Sequence, residues 1–293
     1  MRITIDNDRF YLSIRWPVAG GVSVERFISS AKDDEDAMGQ PATVDSSVIH
    51  QALHAWQIVP CGDACLIIQF AAQFSLAANR HAAAVARQIE AQRSRGSLVG
   101  ITDVVPGMVS IGLHYRAERV HCLAAELPYR SLTRQLEALL GSLELRGGEA
   151  TSMEITLPVC YGGEHGPDLD EVARACGLTP SEVIELHTRT PMDVLMLGFA
   201  PGHAYIGEFD ARLAIPRRST PRTLVAKGSI GVANRQSVIY PTDLPGGWNL
   251  IGRTPLNVFD LANASPCLLQ AGDRVRFVAI DAEQFQALTE VRP

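Results

Sequence analysis

Between residues 217 and 253 the chain places six cations, Arg217, Arg218, Arg222, Lys227, Arg235 and Arg253, against a single acid, Asp243. That is six minus one, a local charge of +5, inside a chain whose net charge is −6. Guanidinium presents a rigid planar fork, so clustered arginines suit carboxylate or phosphate. Gly228, Gly231, Gly246, Gly247 and Gly252 stand in or beside the same stretch. Glycine within strands weakens them and marks close approach of a ligand or another backbone. The pairing of these features points to an anion-recognising site rather than a solvated face with scattered arginines. Within "PGGWNLIGRT", Gly246 and Gly247 are expected to turn with positive φ, bringing Trp248 over the site while Arg253 points at it. A tight hairpin with Trp248 as a core anchor is the plainer alternative.

Two histidines are candidates for proton transfer. His187 ends "EVIELHT", where a helix C-terminus would favour the imidazolium. His203 lies in "LGFAPGHAYIG", a glycine-rich segment expected to cover a pocket, and ranks second. Six cysteines are scattered. Cys61 and Cys65 are spaced C-x3-C without a second pair, so buried free thiols are expected and no metal site. No phosphate-binding loop, nucleophile elbow, zinc-binding helix motif or dinucleotide fingerprint occurs.

The elements that must position these residues follow from periodicity. "WQIVPCGDACLIIQF" reads as paired strands around a turn. "SLAANRHAAAVARQIEAQR" reads as a helix capped by Ser75, and "ITDVVPGMVSIGLHY" as strand, Pro-Gly turn, strand. "SLTRQLEALLGSL" is an amphipathic helix with Leu132, Leu136, Leu139, Leu140 and Leu143 on one face. After the strand "SMEITLPVCY", two short helices follow, the second with Thr179 as cap, Pro180 at its first position and Glu182 closing a capping box. From Val194 to Ile280 short β-rich runs, among them "TLVAKGSIGVA", "SVIYP", "WNLIGRT", "LNVFDL" and "RVRFVAI", alternate with turns, as in a closed or nearly closed barrel. The fold class expected is α+β. Residues 1–55 form an extension with the strand-like "RFYLSIRW" and an acidic linker, 56–148 a small α+β domain, and 152–293 a β-barrel domain. The break falls between Leu145 and Met153.

With 46% hydrophobic residues the chain can build a sizeable core. Its acidic balance, 32 acids to 26 bases, argues against nucleic acid as a partner. No apolar run is long enough for a membrane span and no signal peptide is visible, so a cytoplasmic location is expected.

"PVCYGGEHGPDLDEVA", "GLTPSEVIELH", "LGFAPGHAYIGEFDARLAIPRRSTPR" and "PGGWNLIGRTPLNVFD", in this order, resemble the KipI-type proteins, also known as allophanate hydrolase subunit 1 or the B-subunit of 5-oxoprolinase. The resemblance runs from about Trp56 to Ile280 and is densest over 158–277. It implies that the barrel is cyclophilin-like. It further implies a homologous partner, of the type of allophanate hydrolase subunit 2 or the C-subunit of 5-oxoprolinase, and a third component of the LamB/YcsF type. The implied activity is ATP-dependent opening of 5-oxoproline to glutamate, with ATP bound by the assembled complex. Alternatives are inhibition of a histidine kinase, or carboxyl transfer as in urea carboxylase. Carried over by position, the motif residues are His187, Pro201, Tyr205, Arg218, Arg222, Gly228, Gln236, Tyr240, Gly246, Gly247, Trp248 and Arg253. His187 is the expected proton-transfer group, with Gln236 and Tyr240 orienting the ring. Arg218, Arg222 and Arg253 are expected to hold anionic charge, with Lys227, Tyr205 and His203 beside them. Several positions depart from the family pattern. His203 stands where phenylalanine is usual, Lys227 takes an alanine position, Asn234-Arg235 replaces a Gly-Gly pair, and Ser237-Val238 replaces a usual Thr-Gly. These changes narrow the glycine-rich wall and are expected to add two cations to it.

Overall fold

Alternating and helical apolar spacings build two separate hydrophobic cores. The computed structural model describes residues 56–123, 125–142 and 152–290, all within one unit. The expected extension, Leu143 and residues 146–150 at the expected break lie outside the described residues.

The first core belongs to an open antiparallel sheet. Strands β1 (Gln57–Pro60), β2 (Cys65–Gln69), β3 (Ile101–Pro106) and β4 (Ser110–Tyr115) pair in the order β1-β2-β4-β3. Helices α1 (Leu76–Ser94) and α2 (Pro128–Ser142) contribute to the same core. Alternate positions of the strands, Leu66, Ile68, Ile111 and Leu113, are fully buried against Ile89, Leu132 and Leu136. Period 2 meets period 3.6 here, and burial follows from both. The Ser75 hydroxyl accepts from the Ala78 amide and caps α1 as its sequence predicts.

The second core fills a closed barrel. Its strands are β5 (Glu154–Tyr161), β6 (Met192–Leu197), β7 (Ala204–Gly207), β9 (Ser229–Ala233), β10 (Gln236–Ile239), β12 (Asn249–Arg253) and β13 (Arg274–Ile280), ordered β10-β7-β6-β13-β5-β12-β9. All neighbours are antiparallel except β5 and β13. Every strand contributes to one cluster, which includes Leu157, Val194, Ile206, Val232, Ile239, Ile251 and Phe277. Helices α3 (Leu169–Ala175) and α4 (Pro180–Thr188) add Val172 and Val183 to it. The capping box at Thr179 and Glu182 is present. A final helix, α5 (Ala282–Glu290), follows β13. A two-stranded ribbon, β8 (Arg222–Val225) with β11 (Leu244–Gly246), is separate from the barrel ladder. "LNVFDL" forms no strand; its one ladder contact is the isolated bridge between Phe259 and Cys267. No helix among the described residues is long and apolar enough to cross a membrane.

The expectation of buried thiols holds only for Cys160. Cys61 and Cys122 are exposed, and Cys65, Cys176 and Cys267 are half-buried. Cys61 sits in a hairpin turn and Cys122 between β4 and α2, where polar backbone keeps the chain at the surface.

Helix α1 docks on the barrel through polar groups. The Asn79 side-chain amide, itself 1% exposed, donates to the carbonyls of Met108 and Leu195, both at 2.8 Å. Arg80 grips Asp193 of β6 with two bonds of 2.9 Å. Gly272 lets α1 come close, because a Cβ there would meet Ala83 and Arg87 at 3.0 and 2.9 Å. Replacing Asn79 by alanine strands two carbonyls, one of them on a fully buried residue. Asn79→Ala should therefore cost about 1–3 kcal/mol, read as a lower urea midpoint with unchanged slope. A midpoint equal to wild type would show that the contact contributes nothing.

Candidate functional site on the outer face of the barrel

Strand alternation sorts the predicted site residues onto two faces. On β10, Ser237 and Ile239 point inward, while Gln236, Val238 and Tyr240 share the opposite face. The outward set joins Val225, Ala233, Trp248 and Leu250 in a third cluster, with Tyr205 packed against it.

His187 belongs to the inner face. It is fully buried, its ring tilted on Phe277 at 4.2 Å and edge-on to Phe209 at 5.6 Å. Nδ1 lies 2.7 Å from the Tyr161 hydroxyl and Nε2 lies 3.1 Å from Ser237 Oγ, which donates to the Gly231 carbonyl. One arrangement satisfies every group: Tyr161 donates to Nδ1, and Nε2–H donates to Ser237. Burial lowers the His187 pKa to about 3. The expected imidazolium is therefore absent at neutral pH, because loss of hydration outweighs the helix end. The ring holds the interior of the barrel together by neutral hydrogen bonds.

The outer face carries an aromatic cluster. His203 meets Phe199, Tyr205 and Tyr240 at centroid distances of 5.3, 5.0 and 5.3 Å, and Tyr205 meets Trp248 at 6.1 Å. Arg217 lies over the Trp248 ring at 4.7 Å, a cation–π distance. His203 is 1% exposed; its Nδ1 has no hydrogen-bond partner on another residue, and the ring's polar contact is with its own backbone. Burial, opposed in part by that backbone contact and helped by the charge of Arg217, lowers its pKa to about 4. Burial likewise pushes the Tyr240 phenol up to about 12, so it stays protonated.

The glycines make room for these rings. Neither Gly246 nor Gly247 has positive φ, contrary to expectation. A Cβ on Gly246 would instead collide with the Tyr240 hydroxyl, and one on Gly231 would meet the Trp248 Cβ at 2.6 Å. Glycine is required for space here rather than for its dihedral freedom. Positive φ falls on Asn234 and Arg235, the two-residue turn between β9 and β10. Arg235 turns to the Phe209 carbonyl at 3.0 Å and to Glu208 at 3.8 Å. Its charge is thus not added to the glycine-rich wall.

Arg218 and Arg222 converge, and what they converge on is a carboxylate of the chain itself. Asp168 Oδ1 accepts from Arg218 at 3.1 Å and Arg222 at 2.7 Å, and Oδ2 accepts the Leu250 amide at 2.7 Å. Asp168 is buried and stands at the N-cap of α3 without capping it. Glu171 adds a contact to Arg218 at 3.5 Å. The count of six cations against one acid covered only residues 217–253, and the offset comes from fifty residues upstream. Asp168 and Arg217 were both visible in the sequence, the first after Gly-Pro at a helix start, the second in the arginine pair before Trp248. Nothing in a single sequence links Asp168 to the arginines.

Arg253 and Lys227 occupy a neighbouring turn. Arg253 donates to the Lys227 carbonyl at 2.8 Å, and the Lys227 amide donates to Asp243 at 2.8 Å. No ion pair among the described residues joins Arg253 to the Asp168 group. Gln236 shares the face of Tyr240 but stands four residues along the strand, roughly 13 Å away.

Asp168→Ala leaves the part-buried Arg222 guanidinium and one buried amide without their carboxylate, and Arg218 with only its 3.5 Å contact to Glu171. A loss of about 3 kcal/mol is expected, the low end for a broken buried pair because both arginines reach solvent; a loss under about 1 kcal/mol in urea unfolding would refute this role. A second expectation concerns pH. The folded values of His187 and His203 lie below the unfolded value of about 6.5, so the unfolded chain binds protons the folded chain does not. Stability is complete above about pH 6.5 and falls as pH drops, by about 1.4 kcal/mol per unit for each histidine. Between pH 6.5 and 5, His203→Phe should reduce that slope by about 1.4 kcal/mol per unit. An unchanged slope would show that His203 is not neutral in the fold.

Residues 56–269 match the family described as carboxyltransferase domain, subdomain C and D. The chain is 38% identical over 238 residues to the 5-oxoprolinase B-subunit of Bacillus subtilis, covering 80% of this chain and 97% of that protein. It is 42% identical over 178 residues to the 5-oxoprolinase B-subunit of Escherichia coli O157:H7, covering 61% and 78%. Among solved structures it superposes on TTHA0988 with a TM-score of 0.62 at 34% identity, covering 75% of this chain and only 40% of that one. The Kluyveromyces lactis urea amidolyase, at 19% identity and a TM-score of 0.60 over 80% of this chain and 15% of that one, shares the fold. The chain belongs to the family of 5-oxoprolinase B-subunits, the KipI-type proteins.

Proposed function

We propose that this chain is one component of a hetero-oligomeric, ATP-dependent amidohydrolase that opens 5-oxoproline to glutamate, and that the outer-face aromatic cluster receives the lactam. The observation that carries this reading is Arg217 stacked on Trp248 beside a buried, neutral His203 whose Nδ1 is unpartnered. A five-membered lactam has apolar methylenes, one carboxylate and one amide. Aromatic faces suit the methylenes, and a stacked guanidinium suits the carboxylate. A neutral imidazole offers one hydrogen-bonding nitrogen to the amide. Tyr240, held as a phenol, can donate to the carbonyl oxygen as charge develops on it. Arg217 thereby takes the carboxylate-binding part first expected of Arg218 and Arg222. Lys227 and Arg253 are assigned to the cationic rim, and Gln236 to a position outside the immediate ring site.

The two arginines first expected to hold anionic charge do not favour a triphosphate on this chain. Arg218 and Arg222 are engaged by Asp168, and the chain has no phosphate-binding loop. ATP use is therefore assigned to the assembled complex, with partners of the 5-oxoprolinase C-subunit and LamB/YcsF types. A carboxyl-transfer role is the second reading, favoured by the family description and by 27% identity over 139 residues to the urea amidolyase of Saccharomyces cerevisiae.

Co-expression with the two partner types and an assay for ATP-dependent glutamate release tests the proposal. The complex should turn over and the isolated chain should not. Arg217→Ala and Trp248→Ala should each lower kcat/KM by roughly 10- to 150-fold, the equivalent of about 1.5–3 kcal/mol. His203→Phe keeps the packing and removes the nitrogen, so about a tenfold loss is expected. Wild-type rates in all three variants would place the substrate elsewhere. Carboxyl transfer from carboxybiotin without glutamate release would favour the second reading.

A further inference from the structure

Cys61 and Cys65 form a matched pair that the proposed reaction does not use. In the β1–β2 ladder Gln57 faces Gln69 and Pro60 faces Leu66, so the next pair in register is Cys61 and Cys65. The Cys61 amide donates to the Cys65 carbonyl at 2.8 Å, which confirms that register at the turn. Directly opposed residues of a hydrogen-bonded antiparallel pair have Cα atoms about 5.5 Å apart. Disulfides span about 4.4–6.8 Å between Cα atoms, so the register of the two strands is compatible with a bond here. Burial, and then the neighbouring Cys61 thiol, raise the Cys65 pKa. Cys61 is exposed and Cys65 is half-buried. The other four cysteines stand on different elements: Cys122 between β4 and α2, Cys160 on β5, Cys176 at the end of α3 and Cys267 opposite Phe259.

We propose that Cys61 and Cys65 are a reversible dithiol–disulfide site, oxidised by a low-molecular-weight disulfide such as oxidised glutathione. The exposed Cys61 thiolate attacks one glutathione sulfur. The glutathione S–S bond breaks, a mixed disulfide forms on Cys61, and the departing glutathione thiolate takes up the proton that Cys61 lost. Cys65 then loses its proton and attacks the Cys61 sulfur, forming the Cys61–Cys65 bond and expelling the second glutathione as thiol. Two protein thiols are oxidised and one glutathione disulfide is reduced to two thiols. The half-buried Cys65 has the higher barrier to ionisation, but its attack is intramolecular and the reacting sulfur is held beside it.

The test uses the full chain equilibrated in glutathione buffers of rising oxidised fraction, then acid-quenched and alkylated. Free thiols should fall from six to four, and peptide mapping should show one linkage, Cys61 to Cys65, that reduction reverses. Cys65→Ser should stop at a single glutathione adduct on Cys61, and Cys61→Ser should leave Cys65 unmodified under the same conditions. A chain that keeps both thiols free while other cysteines react would overturn the proposal, as would a linkage of Cys61 to any other cysteine. Should either variant fail to fold, the mapped linkage in the unaltered chain decides alone. The result is independent of the lactam site, which lies on the barrel and contains no cysteine.

Discussion

The carboxylate of Asp168 is the constraint on which the outer face depends. It brings together the start of α3, the two arginines flanking the β8 turn and the backbone of β12. A buried carboxylate demands counter-charge, and two guanidiniums supply it. In return, the arginine segment is fixed in place, so Arg218's own amide can reach the Gly247 carbonyl at 2.8 Å. That bond holds the Gly246-Gly247-Trp248 segment down on the barrel. Arg217, adjacent in sequence, is thereby carried over the Trp248 ring. The charged cluster orders the aromatic one.

The barrel wall separates two kinds of polar chemistry. Inside, His187, Tyr161 and Ser237 close on one another and on the Gly231 carbonyl, and the network is satisfied. Outside, His203 has equal burial but an orphaned nitrogen. An unpaired buried polar atom is destabilising, and this one stands beside Arg217 and three aromatic rings. The same strand, β10, serves both sides, with Ser237 inward and Tyr240 beyond its outward edge. Gly231 is shared too: its carbonyl serves the inner network, and its missing side chain leaves space for Trp248.

Much of this architecture was legible in the sequence. The β1–β2 and β3–β4 hairpins, the Ser75 and Thr179 caps and strands β5, β9, β10, β12 and β13 follow from local spacing and turn chemistry, whereas β6 was not singled out and β7 lies within the segment read as a loop over a pocket. "LNVFDL" misled because its apolar alternation is strand-like, yet its flanking prolines and asparagine hold it as a loop with one bridge. Tyr205, Tyr240 and Trp248, grouped by motif, lie together in one cluster. The partner of the arginines was not legible, since Asp168 reaches them only through the tertiary path of β12. His187 misled for a related reason: helix position is a local signal, whereas complete burial is a property of the closed barrel, and desolvation is the larger effect. Gly246 was singled out correctly for the wrong physical cause, since a sequence cannot distinguish a glycine needed for φ from one needed for space.

The consequence for chemistry is a site of neutral donors beside one stacked cation. Desolvation keeps His203 unprotonated and Tyr240 a phenol near pH 7. Neither can exchange a proton readily with a substrate at that pH, so the cluster suits holding and polarising rather than acid–base transfer. The chain's most exposed aromatic in this region, Phe199, is 60% accessible at the outer edge of His203, with a left-handed backbone that is strained for a side chain of its size.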